Sequence, residues 1–216
     1  MSIVIHGVPP SPFVRKTRVF LAEKNVPYEL VMQQPFNPSA EYLAISPLGK
    51  IPCLQDGDFS LPDSSAICAY LERTHPEPAL YPSDPQDYGT ALFLEEYADS
   101  KLAEAIGAVF FQRVVRKFLF QQDADEEVVA KAQSETQPPL FDHLEGRLEP
   151  GAQFLVGGRL SIADVAVGAQ FAGLVHAEQA LDAGRWPKLA AYVEALHARP
   201  SFKSCIEGEK QIFASM

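Results

Sequence analysis

The chain has 216 residues, 47% hydrophobic and 21% charged, a composition that suits an ordinary globular protein of one large domain or two small ones. A formal net charge of -10 argues against nucleic acid as a partner, because phosphate neutralisation requires a basic surface. Three cysteines (Cys53, Cys68, Cys205) and five histidines show no metal-ligand spacing, so no metal is expected. Sparse, odd-numbered thiols suit a reducing cytoplasm and a core placement. The N-terminal MSIVIHGVPPS lacks a secretory signal's basic and long apolar regions. The most apolar later stretch, Ile162 to Val175, is interrupted by Asp164 and Gln170, so no membrane span is expected.

Ile3-Val4-Ile5 reads as a β-branched strand ending in Gly7. Val8-Pro9-Pro10-Ser11-Pro12 is a rigid turn, with Pro12 at the first position of a helix running to about Asn25. Val14, Thr17, Val19, Phe20 and Leu21 fall near its inward face, with Arg15, Lys16 and Glu23 on other faces. Tyr28 to Met32 is a second strand, and Ser39 to Ile45 a short irregular helix. Strand, crossover helix and strand imply parallel pairing.

The stretch Gly49 to Leu71, GKIPCLQDGDFSLPDSSAICAYL, carries the most chemical information. Ile51-Pro52-Cys53-Leu54 is β-prone, with a proline that belongs at a strand start or edge. Asp56-Gly57-Asp58 supplies a hairpin turn, and Phe59-Ser60-Leu61 the return strand. Pro62-Asp63-Ser64 then opens a helix with Ala66, Ile67, Tyr70 and Leu71 near one face. Its N-terminus offers free N–H groups, a hydroxyl and a carboxylate, a setting that binds carboxylates and phosphates. Arg15, Lys16, Arg18 and Lys50 are the nearby basic residues that an anionic ligand would need against the overall negative charge.

A proline-punctuated segment, His75 to Pro85, separates this unit from a region of helical periodicity. Helices are expected at about 86–120, 124–148, 162–178, 187–199 and 201–214, the second broken or kinked at Pro138-Pro139. Ser161-Ile162-Ala163-Asp164 reads as a capping box, with Leu160 and Val165 as its hydrophobic staple.

Four blocks together resemble the cytosolic glutathione S-transferases: SPFVRKTRVFLAEKNVPYEL, GKIPCL, LPDSSAICAYL and FLVGGRLSIADVAVGA. They span essentially the whole chain in the family's order, with a serine-type signature like that of the tau, theta and phi subclasses and their bacterial relatives. The resemblance implies an α/β thioredoxin-like N-terminal domain (1–76), a linker (77–88) and an all-α C-terminal helical domain (89–216), usually as a homodimer. It implies glutathione as co-substrate, small hydrophobic electrophiles as partners, and detoxification in the cytoplasm, with peroxide reduction as an added activity.

Carried onto this chain, the family's catalytic hydroxyl falls on Ser11. Ile51 and the cis proline Pro52 would meet the cysteinyl part of glutathione. Asp63 and Ser64 would hold the γ-glutamyl end, and Lys50 and Asn37 would face the glycyl carboxylate. Phe13, Phe110, Arg113 and Val114 are expected as walls of a hydrophobic substrate site. Two positions depart from the family pattern: Asp63 stands where Glu is usual, and Gly158 stands where Asp or Asn is frequent, which loosens that turn. Ser11 and Asp63-Ser64 also read as ordinary helix caps. The competing reading is a non-catalytic relative that binds a partner or carries a ligand.

Lowering a thiol of pKa ~8.5 by about two units raises the thiolate fraction roughly 25-fold at neutral pH. Nucleophilicity falling with a Brønsted slope near ~0.45 takes back about 8-fold of that. Ionisation alone gives a few-fold, so holding the electrophile beside the sulfur must supply most of the acceleration.

Overall fold

Alternation along IVIHG places Ile3, Ile5 and Gly7 inward and Val4 and His6 on the half-buried side of β1 (Ile3–Gly7), one of the two central strands of a four-stranded sheet. The computed structural model describes residues 3–215 and divides the chain into two units, Met1–Tyr81 and Pro82–Met216. In the first unit β1 leads through α1 (Pro12–Glu23) to β2 (Tyr28–Met32), which pairs with it in parallel. The short α2 (Ala40–Ile45) precedes β3 (Cys53–Asp56) and β4 (Phe59–Pro62), an antiparallel hairpin in which Asp56 faces Phe59 across Gly57-Asp58. Strand order is β2-β1-β3-β4, and α3 (Ser64–Thr74) follows.

The end of β1 meets α1 at very short range. A Cβ on Gly7 would lie 2.5 Å from Cγ2 of Val14, so only glycine permits this approach. Three details differ from the sequence reading. Arg15 and Lys16, expected away from the inward face of α1, are fully buried, because their ends reach polar partners. The buried stripe of α3 is Ser64, Ile67, Cys68 and Leu71, a regular helical spacing that includes Cys68 in place of Ala66 and Tyr70. Tyr70 instead donates its hydroxyl to Asp56 at 2.8 Å. Pro52 lies just ahead of β3, which starts at Cys53.

The second unit begins with a helical run through α4 (Pro85–Tyr97), α5 (Ala103–Phe110) and α6 (Arg116–Leu119), joined by π-helical turns at Ala98–Leu102 and Phe111–Val115. A second run joins α7 (Glu126–Lys131) to α8 (Gln137–Arg147) through a π turn at Ala132–Thr136. The interruption expected at Pro138-Pro139 falls just ahead of the pair, where the π turn ends at Thr136 and α8 starts at Gln137 with the prolines in its first turn. The wider π turn sits directly before the prolines and accommodates the ring and the missing donor. Then come α9 (Ile162–His176), α10 (Pro187–Ala198) and α11 (Pro200–Ala214).

Helix α9 is the core of this unit, buried at every residue from Ile162 to Leu174. Asp164 anchors its start. Its Oδ2 accepts from the Ser161 N–H at 2.8 Å and hydroxyl at 3.0 Å, and its Oδ1 accepts from the Leu155 N–H and Tyr192 hydroxyl, each at 2.8 Å. Burial raises the Asp164 pKa, and these four donors oppose the shift. The turn before it contains Gly157 at φ 62 and Gly158 at φ 67. Glycine fits this left-handed backbone without a Cβ penalty, so Gly158 does not loosen the turn by conformation.

Among the described residues no helix is long and apolar enough to cross a membrane. No group of three or more His, Cys, Asp or Glu among them could hold a metal ion.

Candidate functional site

Strand register collects the site at one end of the sheet. His6, next to the last residue of β1, faces Cys53, the first of β3, which in turn faces Pro62, the last of β4. The loop into α1, the loop into β3 and the turn into α3 therefore leave the sheet at the same end. Two helix N-termini and an unladdered loop share that end, and each positions residues singled out from the sequence.

Ser11 is the N-cap of α1, in extended backbone at φ -65 and ψ 127, and half-buried. Its Oγ accepts the Val14 N–H at 3.5 Å, a long capping bond that leaves the hydroxyl weakly engaged. Phe13 is half-buried one residue beyond Pro12. Arg15 donates to the carbonyl of Pro10 at 3.2 Å and holds the loop that carries Ser11. Lys16 Nζ lies 2.9 Å from Ser65 Oγ, joining α1 to the first turn of α3.

Asp63 is the N-cap of α3. Its Oδ1 accepts the Ser65 and Ala66 N–H groups, both at 3.0 Å, and its backbone holds φ 80. Such a conformation in a non-glycine residue costs of order ~1–3 kcal/mol and persists where surrounding bonds impose it. Asp63 is exposed and Ser64 buried. Asn37, exposed and at φ 51, sits in the loop between β2 and α2; asparagine is among the residues that tolerate this backbone.

The Ile51–Pro52 bond is cis. Ile51 and Pro52 are buried, and Ile51 packs with Val14, Tyr42 and Cys53. The β1–β3 ladder starts at Cys53, so the backbone of Ile51 stands outside the strand pairing. Lys50 is exposed, but its carbonyl accepts from the Tyr42 hydroxyl at 2.7 Å and the Ser46 hydroxyl at 2.8 Å. The sequence reading missed Tyr42 and Ser46. Their spacing of four, from α2 to its C-cap just ahead of Gly49, was the available signal. Cys53 is fully buried, and that burial pushes its thiol up to about 11, which keeps it protonated at neutral pH.

In the helical unit, Val114 is buried in a cluster with Val109, Val129, Ala132 and Ala177, against which Phe110 packs. Val114, expected as a wall of the substrate site, thus has its side chain packed within this cluster. Arg113 points elsewhere. It pairs with Glu126 at 3.1 Å and lines a cleft of about 680 Å³ with Lys117, His176 and Phe213.

A four-stranded mixed sheet with this helix order is a thioredoxin-like unit, here followed by an all-helical one. Models of the glutathione S-transferase N-terminal and C-terminal domains match residues 5–79 and 110–208. A probable glutathione S-transferase GSTF2 of Oryza sativa subsp. japonica is 30% identical, the match covering 84% of this chain and 85% of that one. Glutathione S-transferase U17 of Arabidopsis thaliana is 31% identical, over 89% of this chain and 85% of its own. A solved glutathione S-transferase from Methylobacterium radiotolerans, in complex with glutathione sulfonate, aligns with TM-score 0.77 and 30% identity over 95% of each chain. The chain belongs to the glutathione S-transferase family of enzymes.

Proposed function

We propose that this enzyme adds the thiolate of glutathione to small hydrophobic electrophiles, with glutathione laid across the end of the sheet where the three loops emerge. The observation that carries this reading is the register His6–Cys53–Pro62, which gathers Ser11, Ile51 and Asp63-Ser64 at one end of a single unit. Ser11 donates its hydroxyl to the sulfur at the N-terminus of α1, and the helix dipole adds to that stabilisation. Ile51 offers its unladdered N–H and C=O to the cysteinyl part. Asp63 receives the γ-glutamyl ammonium, while Ser64 at the N-terminus of α3 receives the carboxylate beside it, favoured by the helix dipole. Lys50 and Asn37 take the glycyl carboxylate. Phe13 supplies apolar surface to the electrophile. Peroxide reduction uses the same thiolate and is the expected second activity.

Tyr88, Leu92 and Phe93 on α4 are 44%, 37% and 52% exposed, and this apolar surface supports a homodimer. Detoxification in the cytoplasm follows from the substrate class and from three cysteines kept as thiols.

Calorimetric titration with glutathione, followed by a screen of electrophiles, tests the reading. Micromolar to low-millimolar binding with conjugation supports it. Absence of binding removes it and favours a partner-binding relative.

A further inference from the structure

The Lys50–Ile51 peptide has one inward and one outward end. Its carbonyl accepts two hydroxyls, from Tyr42 at 2.7 Å and from Ser46 at 2.8 Å, which occupies both carbonyl lone pairs. Both donors are buried: Tyr42 is 4% exposed and Ser46 0%. This peptide is not among the cis bonds, so it is trans and its N–H, on Ile51, points opposite to the carbonyl. The hydroxyls draw the carbonyl inward and thereby turn the Ile51 N–H away from α2. Gly49 at φ 64 precedes this peptide, and the strand pairing that would otherwise fix it starts only at Cys53. The two hydroxyls supply an orientation that the sheet does not.

We propose that Tyr42 and Ser46 are positioning residues which aim the Ile51 N–H at the cysteinyl carbonyl of glutathione; this rests on the glutathione reading above. They touch neither thiol nor electrophile. Hydrogen bonds to a carbonyl also polarise the same peptide's N–H, which strengthens it as a donor. Burial pushes the Tyr42 phenol up to about 12, so it remains a donor at any working pH.

The test compares the full chain with Tyr42→Phe, Ser46→Ala and the double variant, by calorimetry with glutathione and by turnover of 1-chloro-2,4-dinitrobenzene. Each single change should weaken glutathione binding about 3- to 10-fold, the worth of one ordinary hydrogen bond. The double change should weaken it further. KM for glutathione should rise in step while kcat at saturating glutathione stays within about two-fold, the signature of binding lost equally in ground and transition states. A merely structural role would lower the melting temperature and leave affinity alone, and that result overturns the inference. Tyr42→Phe keeps the packed ring, so the test stands if Ser46→Ala fails to fold. Binding by wild type with unchanged affinity in the variants overturns this inference alone. No binding by wild type overturns the glutathione reading itself.

Discussion

Lys24 Nζ lies 2.7 Å from Glu72 Oε2, joining the residue after α1 to the third turn of α3, and the lysine side chain is wholly buried. The ammonium also donates to the carbonyls of His75 at 2.7 Å and Pro78 at 2.9 Å, which uses all three of its protons. Glu72 in turn accepts the Leu80 and Tyr81 N–H groups. The proline-rich segment that ends the first unit is thus held by one ion pair whose lysine is buried and whose glutamate is partly exposed. Lys24→Met would leave a carboxylate and two carbonyls without their cation, and a loss of about 3–5 kcal/mol is expected. Urea denaturation reads it directly. A loss below about 1 kcal/mol would mean that the segment is held by packing alone.

Ser11→Ala separates chemistry from capping. A good N-cap is worth about 1 kcal/mol. The 3.5 Å bond from Val14 is long, so the stability change should fall at or below that. Loss of the hydroxyl donor should nevertheless lower kcat/KM at least about ten-fold, the scale of one charge-assisted hydrogen bond. Matched measurements of kcat/KM and denaturation midpoint decide it. Full activity with a lowered midpoint would make Ser11 a cap and nothing more.

Asp63 has two duties to disentangle, because its Oδ1 already caps α3. Asp63→Ala would remove cap and charge together and could not distinguish them. Asp63→Asn retains a capping oxygen and suits a positive φ, yet removes the charge. The expected outcome is a denaturation midpoint near wild type with glutathione affinity about 5- to 20-fold weaker, as for a lost charged hydrogen bond. Equal affinity would remove Asp63 from the ligand contacts.

The local parts of this site were legible in the sequence because local chemistry determines them. Pro12 fixes a helix start, Asp56-Gly57-Asp58 a hairpin, and Ser11 and Asp63 are capping residues by type. The parts that failed are tertiary. Nothing in the periodicity of α1 says that Arg15 and Lys16 are buried, since their partners, Pro10 and Ser65, are set by loop path and by another helix. Nor does the periodicity announce the π turn at Phe111–Val115, within which Val114 is buried. The four-residue spacing of Tyr42 and Ser46 is visible in the sequence, but their common acceptor, the Lys50 backbone carbonyl, is not.

Cys53 gives a prediction in pH. Desolvation by burial pushes its thiol up to about 11 from an ordinary 9.0, and the thiol donates to the Ile45 carbonyl at 3.4 Å. The folded chain keeps this proton where the unfolded chain has lost it. Between about pH 9 and 11 the unfolded state thus binds fewer protons, and the contribution to stability falls as pH rises. Below that window both states are protonated and the thiol adds no slope. Cys53→Ala should therefore flatten the alkaline arm of the denaturation midpoint against pH, while a slope from Tyr42, whose phenol is raised to about 12, remains. At pH 8 iodoacetamide should leave Cys53 unmodified in the native chain and label it in urea, as mass spectrometry of the peptide would show. Rapid labelling of the native chain would mean an accessible thiolate, and would return to Cys53 the redox role that its burial denies it.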